Sequence, residues 1–355
     1  MEIRDLIDLG QLTQADTMQL LDMAQTVKNN PSYFIDHCHG NIMATLFYEP
    51  STRTQMSFQA AMLRLGGKII GFDNPGNSSV SKGESLKDTV KVVSNYCDII
   101  VIRNPLEGAA LAASLFSRCP VINAGDGGHL HPTQTLTDLV TLFFEKKRLE
   151  GLTVGLCGDN KNGRTVHSLA KSLSKYPGNR FVFISTPQLQ APAYILDAIK
   201  ANGCEYETSQ TLEGVIGDLD VLYMTRIQRE RFSDAAEYTR QKGVFILDAA
   251  KMRHAKKDLT VMHPLPRVDE IAVDVDDDPR AAYFKQTEYG LYARMALIMN
   301  MLANKNAARP AVVQSTEPFV CTNDRCITKT ETYLPKYFTP APGGFLCGYC
   351  EHKAQ

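Results

Sequence analysis

Residues 41–72 read NIMATLFYEPSTRTQMSFQAAMLRLGGKIIGF, and the fold class follows from this stretch. The apolar run ending at Phe47 has the length of a buried strand. Beyond it Met56, Ala60 and Leu63 recur at helical spacing, and Gly66-Gly67 is a helix stop. KIIGF then reads as a second strand. Strand, helix and strand in this order make a βαβ unit and so a parallel sheet. Upstream, TQADTMQLLDMAQTVKNNP reads as an amphipathic helix with Thr13 as its N-cap and Asn29-Asn30-Pro31 as its end. Downstream, CDIIVIRN and CPVINAG continue the alternation. After the helix containing DLVTLFFEKKR the pattern restarts, with LTVGLCGD, RFVFISTP, CEYETS, DVLYMT, VFILDA and LTVMHPLP as strands. Two α/β domains meeting near residues 135–150 accommodate this layout.

Composition narrows the function. The 355 residues contain 38 Lys plus Arg and 39 Asp plus Glu, a net charge of −1. Such a balance argues against a polyanion, and so against nucleic acid, as the main partner. Hydrophobic residues at 44% and charged residues at 22% suit a soluble folded protein. No apolar run reaches membrane-spanning length and no secretory leader is visible, so the expectation is a cytoplasmic protein without a membrane partner.

Five stretches can carry chemistry. Ser51-Thr52-Arg53-Thr54 places three hydroxyls and a guanidinium where a strand runs into a helix, whose first N–H groups and dipole favour an anion. The plain alternative is a helix cap beside a surface arginine. His131 and Gln134 follow the glycine-rich NAGDGG turn, at a strand's carboxyl end, where parallel sheets bind ligands. One imidazole and one amide there can polarise a carbonyl and orient a small amide; metal ligation by His129 and His131 is the competing reading. Arg103, Arg164 and Arg226 each lie at the end of a strand, and together they imply a substrate with several negative charges. Gln228 follows two residues after the last of them. His263-Pro264-Leu265-Pro266-Arg267 is a stiff loop in which the carbonyls of Pro264 and Leu265 are acceptors. The polar loop NPGNSSVSKGES contributes one cation, Lys82. The acidic stretch from Asp274 to Asp278 lacks a calcium-loop spacing and reads as a solvated loop.

These motifs, in this order, resemble the carbamoyltransferase family over nearly all of residues 1–305. The family's S-T-R-T stands at Ser51–Thr54, its H-P-x-Q at His131–Gln134, and its H-P-L-P-R at His263–Arg267. The last motif points to the branch that accepts aspartate, because ornithine-specific members typically have a cysteine after that histidine. Position 55 is Gln, where many members have Arg. The resemblance implies that Ser51, Thr52, Arg53 and Thr54 bind the phosphate of carbamoyl phosphate. Arg103, His131 and Gln134 would hold its carbonyl and amide, with Pro264 and Leu265 accepting from the NH2. Thr54, Arg103 and His131 would be the catalytic donors. Arg164, Arg226, Gln228 and Lys82 would bind L-aspartate. It further implies a homotrimer in which Ser79 (or its neighbour Ser78) and Lys82 reach the adjacent subunit's site. The implied division is a carbamoyl phosphate-binding domain over 1–137 with a return helix at 286–305, an aspartate-binding domain over 138–285, and a remainder, 306–355. No catalytic metal or organic cofactor is implied.

That remainder is different in kind. Of nine cysteines, four stand at Cys321, Cys326, Cys347 and Cys350, in two short pairs about twenty residues apart. This spacing suits one structural zinc ion per chain held by four thiolates; a redox pair at C-G-Y-C is the rival. The segment resembles the zinc domain of the family's separate regulatory chain, here fused to a catalytic chain. The expected fold class is therefore α/β, with two doubly wound parallel-sheet domains plus a small C-terminal zinc-ribbon-like β module. Residues 306–320 read as a linker, and the module is expected to pack against another catalytic chain and link trimers.

Overall fold

The structure, a computed structural model, describes every residue except Gln228, Glu230, Arg231, Ser233, Pro310, Glu317 and Pro342. The chain divides into two compact units, residues 1–133 with 291–355, and residues 134–290.

The first unit is built on a four-stranded parallel sheet, β1 (Ile42–Phe47), β2 (Lys68–Phe72), β3 (Ile99–Asn104) and β4 (Val121–Asp126), in the order β2-β1-β3-β4. Helices α1 (Gln14–Asn29), α2 (Thr52–Arg64), α3 (Leu86–Val93) and α4 (Ala109–Phe116) accompany it. Thr13 caps α1 as expected: its hydroxyl accepts from Asp16 N at 3.0 Å, and the Asp16 carboxylate accepts from Thr13 N at 3.2 Å. Every residue of β4 is buried although β4 is the last strand of its sheet. The N-terminal segment explains this. Leu6 N donates to Val121 O at 2.9 Å and Asn123 N to Leu6 O at 2.8 Å, so an unpaired edge is covered.

The second unit has five parallel strands, β5 (Thr153–Cys157), β6 (Arg180–Ile184), β7 (Glu205–Ser209), β8 (Val221–Met224) and β9 (Thr260–Met262), in the order β7-β6-β5-β8-β9. The division between units falls within α5 (Pro132–Lys146) and α10 (Lys285–Ala303). Helices α6 (Arg164–Leu173), α7 (Ala193–Ala201), α8 (Ala235–Gln241) and α9 (Ala249–Met252) complete the second unit.

One expected strand is absent. VFILDA contributes only an isolated bridge between Leu247 and Ile271. Leu247 pairs with the 270–272 segment, donating to Glu270 O and accepting from Ala272 N, and not with the sheet. Asp248 then accepts from Lys251 N at 2.8 Å, which turns the chain into α9.

In the tail, β10 (Phe338–Ala341) pairs antiparallel with β11 (Gly344–Cys347). The lead-in has no regular element among its described residues, but it is anchored. Arg309 bonds to the Asp5 carboxylate at 2.7 Å and to Cys119 O at 2.8 Å. The tail packs on the chain's own first unit. Ile327, Leu334 and Tyr349 share one apolar core with Ala109, Ala112 and Val121.

Candidate active site and metal centre

Strand β1 runs through Glu49 and Pro50 into α2, with Ser51 at the N-cap position. Ser51 makes no side-chain capping bond, so its hydroxyl is not spent on the helix end. Thr52 and Arg53 are exposed and Thr54 is buried, which gives an exposed helix N-terminus with a cation beside it. Pairing of β1 with β3 sets Phe47 opposite Arg103, and Tyr48 N donates to Arg103 O at 2.8 Å. The motif at residues 51–54 thus begins close to the strand end that carries Arg103.

Arg103 lies among polar groups. One terminal nitrogen meets Glu49 Oε1 at 2.8 Å. The other is 3.3 Å from Ala124 O and 3.4 Å from His131 Nε2. Burial lowers the guanidinium's proton affinity, and the Glu49 carboxylate works against that loss. Gly125, at φ +126°, makes the approach possible: a Cβ there would lie 2.9 Å from the arginine. In this unit the structure brings together Arg103 and His131, as the sequence suggested. It adds Glu49, whose only sequence signal was its position just ahead of the S-T-R-T motif.

His129 does not join His131 in a metal site. Its Nδ1 lies 3.1 Å from Asp126, and its Nε2 lies 3.6 Å from Glu351. Burial disfavours the imidazolium, but those two carboxylates outweigh it and push the pKa up to about 10. On the loop after β2, Ser78 is occupied locally: its hydroxyl donates to Pro75 O at 2.8 Å and accepts from Val80 N at 3.3 Å. Ser79 and Lys82 are exposed on the same loop.

In the second unit, Arg164 opens α6 just beyond β5, and Arg226 follows β8. These strands are paired neighbours, with Cys157 opposite Met224, so both half-buried arginines belong to the carboxyl end of one sheet. A pocket beside Arg226 is lined by Gly158, Thr225, Lys242 and Phe245. Gln228 lies outside the described residues.

The H-P-L-P-R loop is held from within. His263 Nε2 donates to Glu270 Oε1 at 2.6 Å and its Nδ1 accepts from Leu265 N at 2.7 Å, which settles the tautomer. Burial raises the Glu270 pKa, but His263 and nearby N–H groups reverse the effect and hold the carboxyl below its usual range. Leu265 has φ +53° and precedes a cis bond to Pro266. Positive φ is uncommon in a branched residue and marks a loop whose surroundings dictate its path. Arg267 pairs with Asp276 and also meets Tyr283, so the acidic stretch is a structural partner and not simply a solvated loop. Behind the loop lie Gln286 and the buried Asp138, neither singled out by sequence. The signal for Asp138 was an acid one helical turn past Gln134, with no other charged residue between Pro132 and Phe144.

In the tail, the four sulfurs of Cys321, Cys326, Cys347 and Cys350 are buried and lie within 4.8 Å of one another. Cys321 and Cys350 are 3.4 Å apart, and Cys326 and Cys347 are 3.8 Å apart. A tetrahedron with metal–sulfur bonds of about 2.3 Å has edges of about 3.8 Å, so this cluster can bind a metal ion. Asn323 N and Thr328 Oγ1 donate to the sulfurs of Cys321 and Cys326 at 3.4 and 3.1 Å. Bonds from Cys347 and Cys350 hold the Cys326 thiol far below its ordinary pKa, and the same contacts push the thiols of Cys347 and Cys350 up. The cluster sits against the first unit through Glu107. Its N–H donates to Arg325 O, its carbonyl accepts from Ile327 N, and its carboxylate accepts from Asn323 Nδ2 at 2.7 Å.

Residues 4–143 match the carbamoyl-P binding domain, and residues 150–301 the Asp/Orn binding domain, of aspartate/ornithine carbamoyltransferase. The chain belongs to this family. The catalytic subunit of aspartate carbamoyltransferase from Clostridium perfringens is 56% identical over 300 residues, covering 84% of this chain and 98% of that subunit. The corresponding subunit from Finegoldia magna is 54% identical over 299 residues, with the same coverage. Among solved structures, the catalytic subunit of M. jannaschii aspartate transcarbamoylase superposes with a TM-score of 0.81 at 44% identity, over 86% of this chain and all of that one. The Trypanosoma cruzi enzyme in complex with carbamoyl phosphate and aspartate gives 0.78 at 38%, over 84% and 96%. The family match ends at residue 301, before the tail.

Proposed function

We propose a residue-level account of carbamoyl transfer from carbamoyl phosphate to L-aspartate, which gives N-carbamoyl-L-aspartate and phosphate on the route to pyrimidines. This chain is an enzyme of that reaction, in keeping with its identity to aspartate carbamoyltransferase catalytic subunits over 98% of their length. The observation that carries the residue assignments is the grouping of Arg103, His131 and Glu49 at the strand end opposite the start of the S-T-R-T helix. Ser51, Thr52, Arg53 and Thr54 bind the phosphate. Arg103 and His131, with Thr54, donate to the carbonyl oxygen, and Arg103 exchanges Glu49 for substrate. Gln134 and the carbonyls of Pro264 and Leu265 accept from the carbamoyl NH2. Arg164, Arg226, Gln228 and Lys82 bind the two carboxylates of aspartate. The functional division is 1–137 with the return helix 286–305 for carbamoyl phosphate, 138–285 for aspartate, and 306–355 for the linker and metal module.

The aspartate amine attacks the carbonyl carbon, the oxygen gains negative charge, and the C–O bond to phosphate breaks. The departing phosphate takes the amine proton, so no protein nucleophile or base is required. Each donor to the developing oxyanion contributes roughly 3–4 kcal/mol, and the rest of the acceleration comes from holding the two anions in line.

The active assembly is a homotrimer in which Ser79 and Lys82 serve the neighbouring subunit's site. Exposed apolar side chains on the first unit support it: Tyr33, Ile35, Met56, Leu63 and Ile70 are all exposed, and Ile70 lies on the edge strand β2. Ser79 is chosen over Ser78 because the latter is held in its loop. The tail is a fused zinc module resembling that of the regulatory chain, in which Cys321, Cys326, Cys347 and Cys350 hold a structural zinc ion. Nine unbridged cysteines suit a reducing compartment, and we assign the enzyme to the cytoplasm.

Arg53→Ala tests the phosphate assignment. The expected loss in kcat/KM with aspartate as acceptor corresponds to about 3 kcal/mol, or more than a hundredfold. Near-normal turnover removes Arg53 from the site. Mixing Arg53→Ala with Lys82→Ala chains should restore part of the activity; no rescue after demonstrated subunit exchange removes the shared site.

A further inference from the structure

Asp138 is fully buried in α5, with 0% of its surface exposed. Its Oδ1 accepts from Gln134 Nε2 at 2.8 Å and from Gln286 Nε2 at 2.6 Å, and its Oδ2 accepts from Tyr223 OH at 3.0 Å. Three donors converging on two oxygens is the pattern of a carboxylate. A side-chain amide can present either its oxygen or its NH2, and its neighbours decide which. At Gln286 the decision is forced. Its Oε1 accepts the backbone N–H of His263 at 3.1 Å, and a backbone N–H can only donate. Gln286 therefore turns its NH2 to Asp138. The same carboxylate takes the NH2 of Gln134 and leaves Gln134 Oε1 as that amide's acceptor end.

We propose that Asp138 is a specificity-determining positioning residue that makes the site select an acyl phosphate bearing an N–H donor. It sets Gln134 as an acceptor directly. Through Gln286 and the His263 N–H it also fixes the base of the loop that presents the Pro264 and Leu265 carbonyls. The inference rests on the assignment of those three acceptors to the carbamoyl NH2. A substrate with a methyl group in place of that NH2 leaves them unpaired in a partly buried site, a strong ground for rejection. Asp138 itself touches no reacting atom.

Acetyl phosphate provides the test, since it keeps the phosphate and carbonyl and replaces NH2 by CH3. In the full-length enzyme, Asp138→Asn puts a neutral amide where the carboxylate takes the two glutamine NH2 groups, which weakens the anchor of Gln286 and removes the charge that dictates the orientation of Gln134. The expected result is a KM for carbamoyl phosphate raised roughly tenfold or more, with the inhibition constant of acetyl phosphate changed less than about threefold. Equal weakening of both ligands, the signature of a merely structural role, overturns the proposal, as does no change in either. Should the variant not fold, Gln286→Met removes the link to His263 and is expected to show the same selective loss; equal weakening there is equally fatal. Gln134→Ala separates the two levels. If Gln134→Ala leaves the KM for carbamoyl phosphate unchanged, the amide assignment has failed; if it raises the KM while Asp138→Asn does not, only the role of Asp138 has failed.

Discussion

Strand β1 has five of its six residues buried, whereas β10 has none and β11 has only Cys347. Both belong to the first unit, yet they are held by different forces. The sheet is cohesive because side chains such as Met43, Leu46 and Phe47 leave water, each worth about 1.5–3 kcal/mol. The tail is too short to bury a comparable core. It relies on a surface of the larger part that is complementary to it and, as proposed, on zinc held by four sulfurs. Gly108 records how closely the two are fitted: a Cβ at this position would lie 2.6 Å from Tyr349. A fold that depends on a few strong bonds and one docked face is more conditional than one that depends on many weak contacts.

With zinc in the four-cysteine cluster as proposed, its removal should break the comparison most sharply. Thiolate zinc sites in small domains contribute about 10–16 kcal/mol at neutral pH, nearly all of it folding energy. Chelation should therefore expose residues 311–355 to protease while the sheets of both units stay protected, as limited proteolysis with mass spectrometry would show. Continued protection of the tail would mean that the cysteines are not what holds it. A smaller effect is expected where the tail serves the body. Glu331 Oε1 accepts from Leu86 N at 3.0 Å and Tyr333 OH from Lys87 N at 3.0 Å, so the tail caps the first turn of α3. Glu331→Ala should cost about 0.5–2 kcal/mol, read as faster hydrogen exchange at Leu86 and a lower melting temperature. The smallest effect belongs to a surface pair within the second unit. Arg180 and Glu207 meet at 2.6 Å, but their side chains are 47% and 42% exposed, and Arg180→Ala should change stability by less than about 1 kcal/mol.

Strands were legible wherever apolar runs were continuous, because burial on both faces leaves the composition little freedom. VFILDA misled because only Phe245 and Leu247 are buried, Val244 and Ile246 are exposed, and a composition signal cannot say which partner takes the backbone bonds. The placement of Arg103, Arg164, Arg226 and His131 at or just beyond strand ends was legible because the strands before them were. Asp138, Gln286 and Glu49 were not. Each acts on another side chain and not on a ligand, and the pairing of residues 138 and 286 brings together positions far apart in sequence. The docking of the tail was hidden similarly, since Glu107 grips residues 325 and 327 largely through its backbone, which has no sequence signature.

The covalent join at residues 306–320 has a kinetic consequence. A module that arrived as a separate polypeptide would be lost on dilution and would have to be made in matched amounts. Here the tether keeps it at an effective concentration in the millimolar range whatever the enzyme concentration. Every newly made chain thus carries its own stabilising partner, in a ratio fixed at one to one.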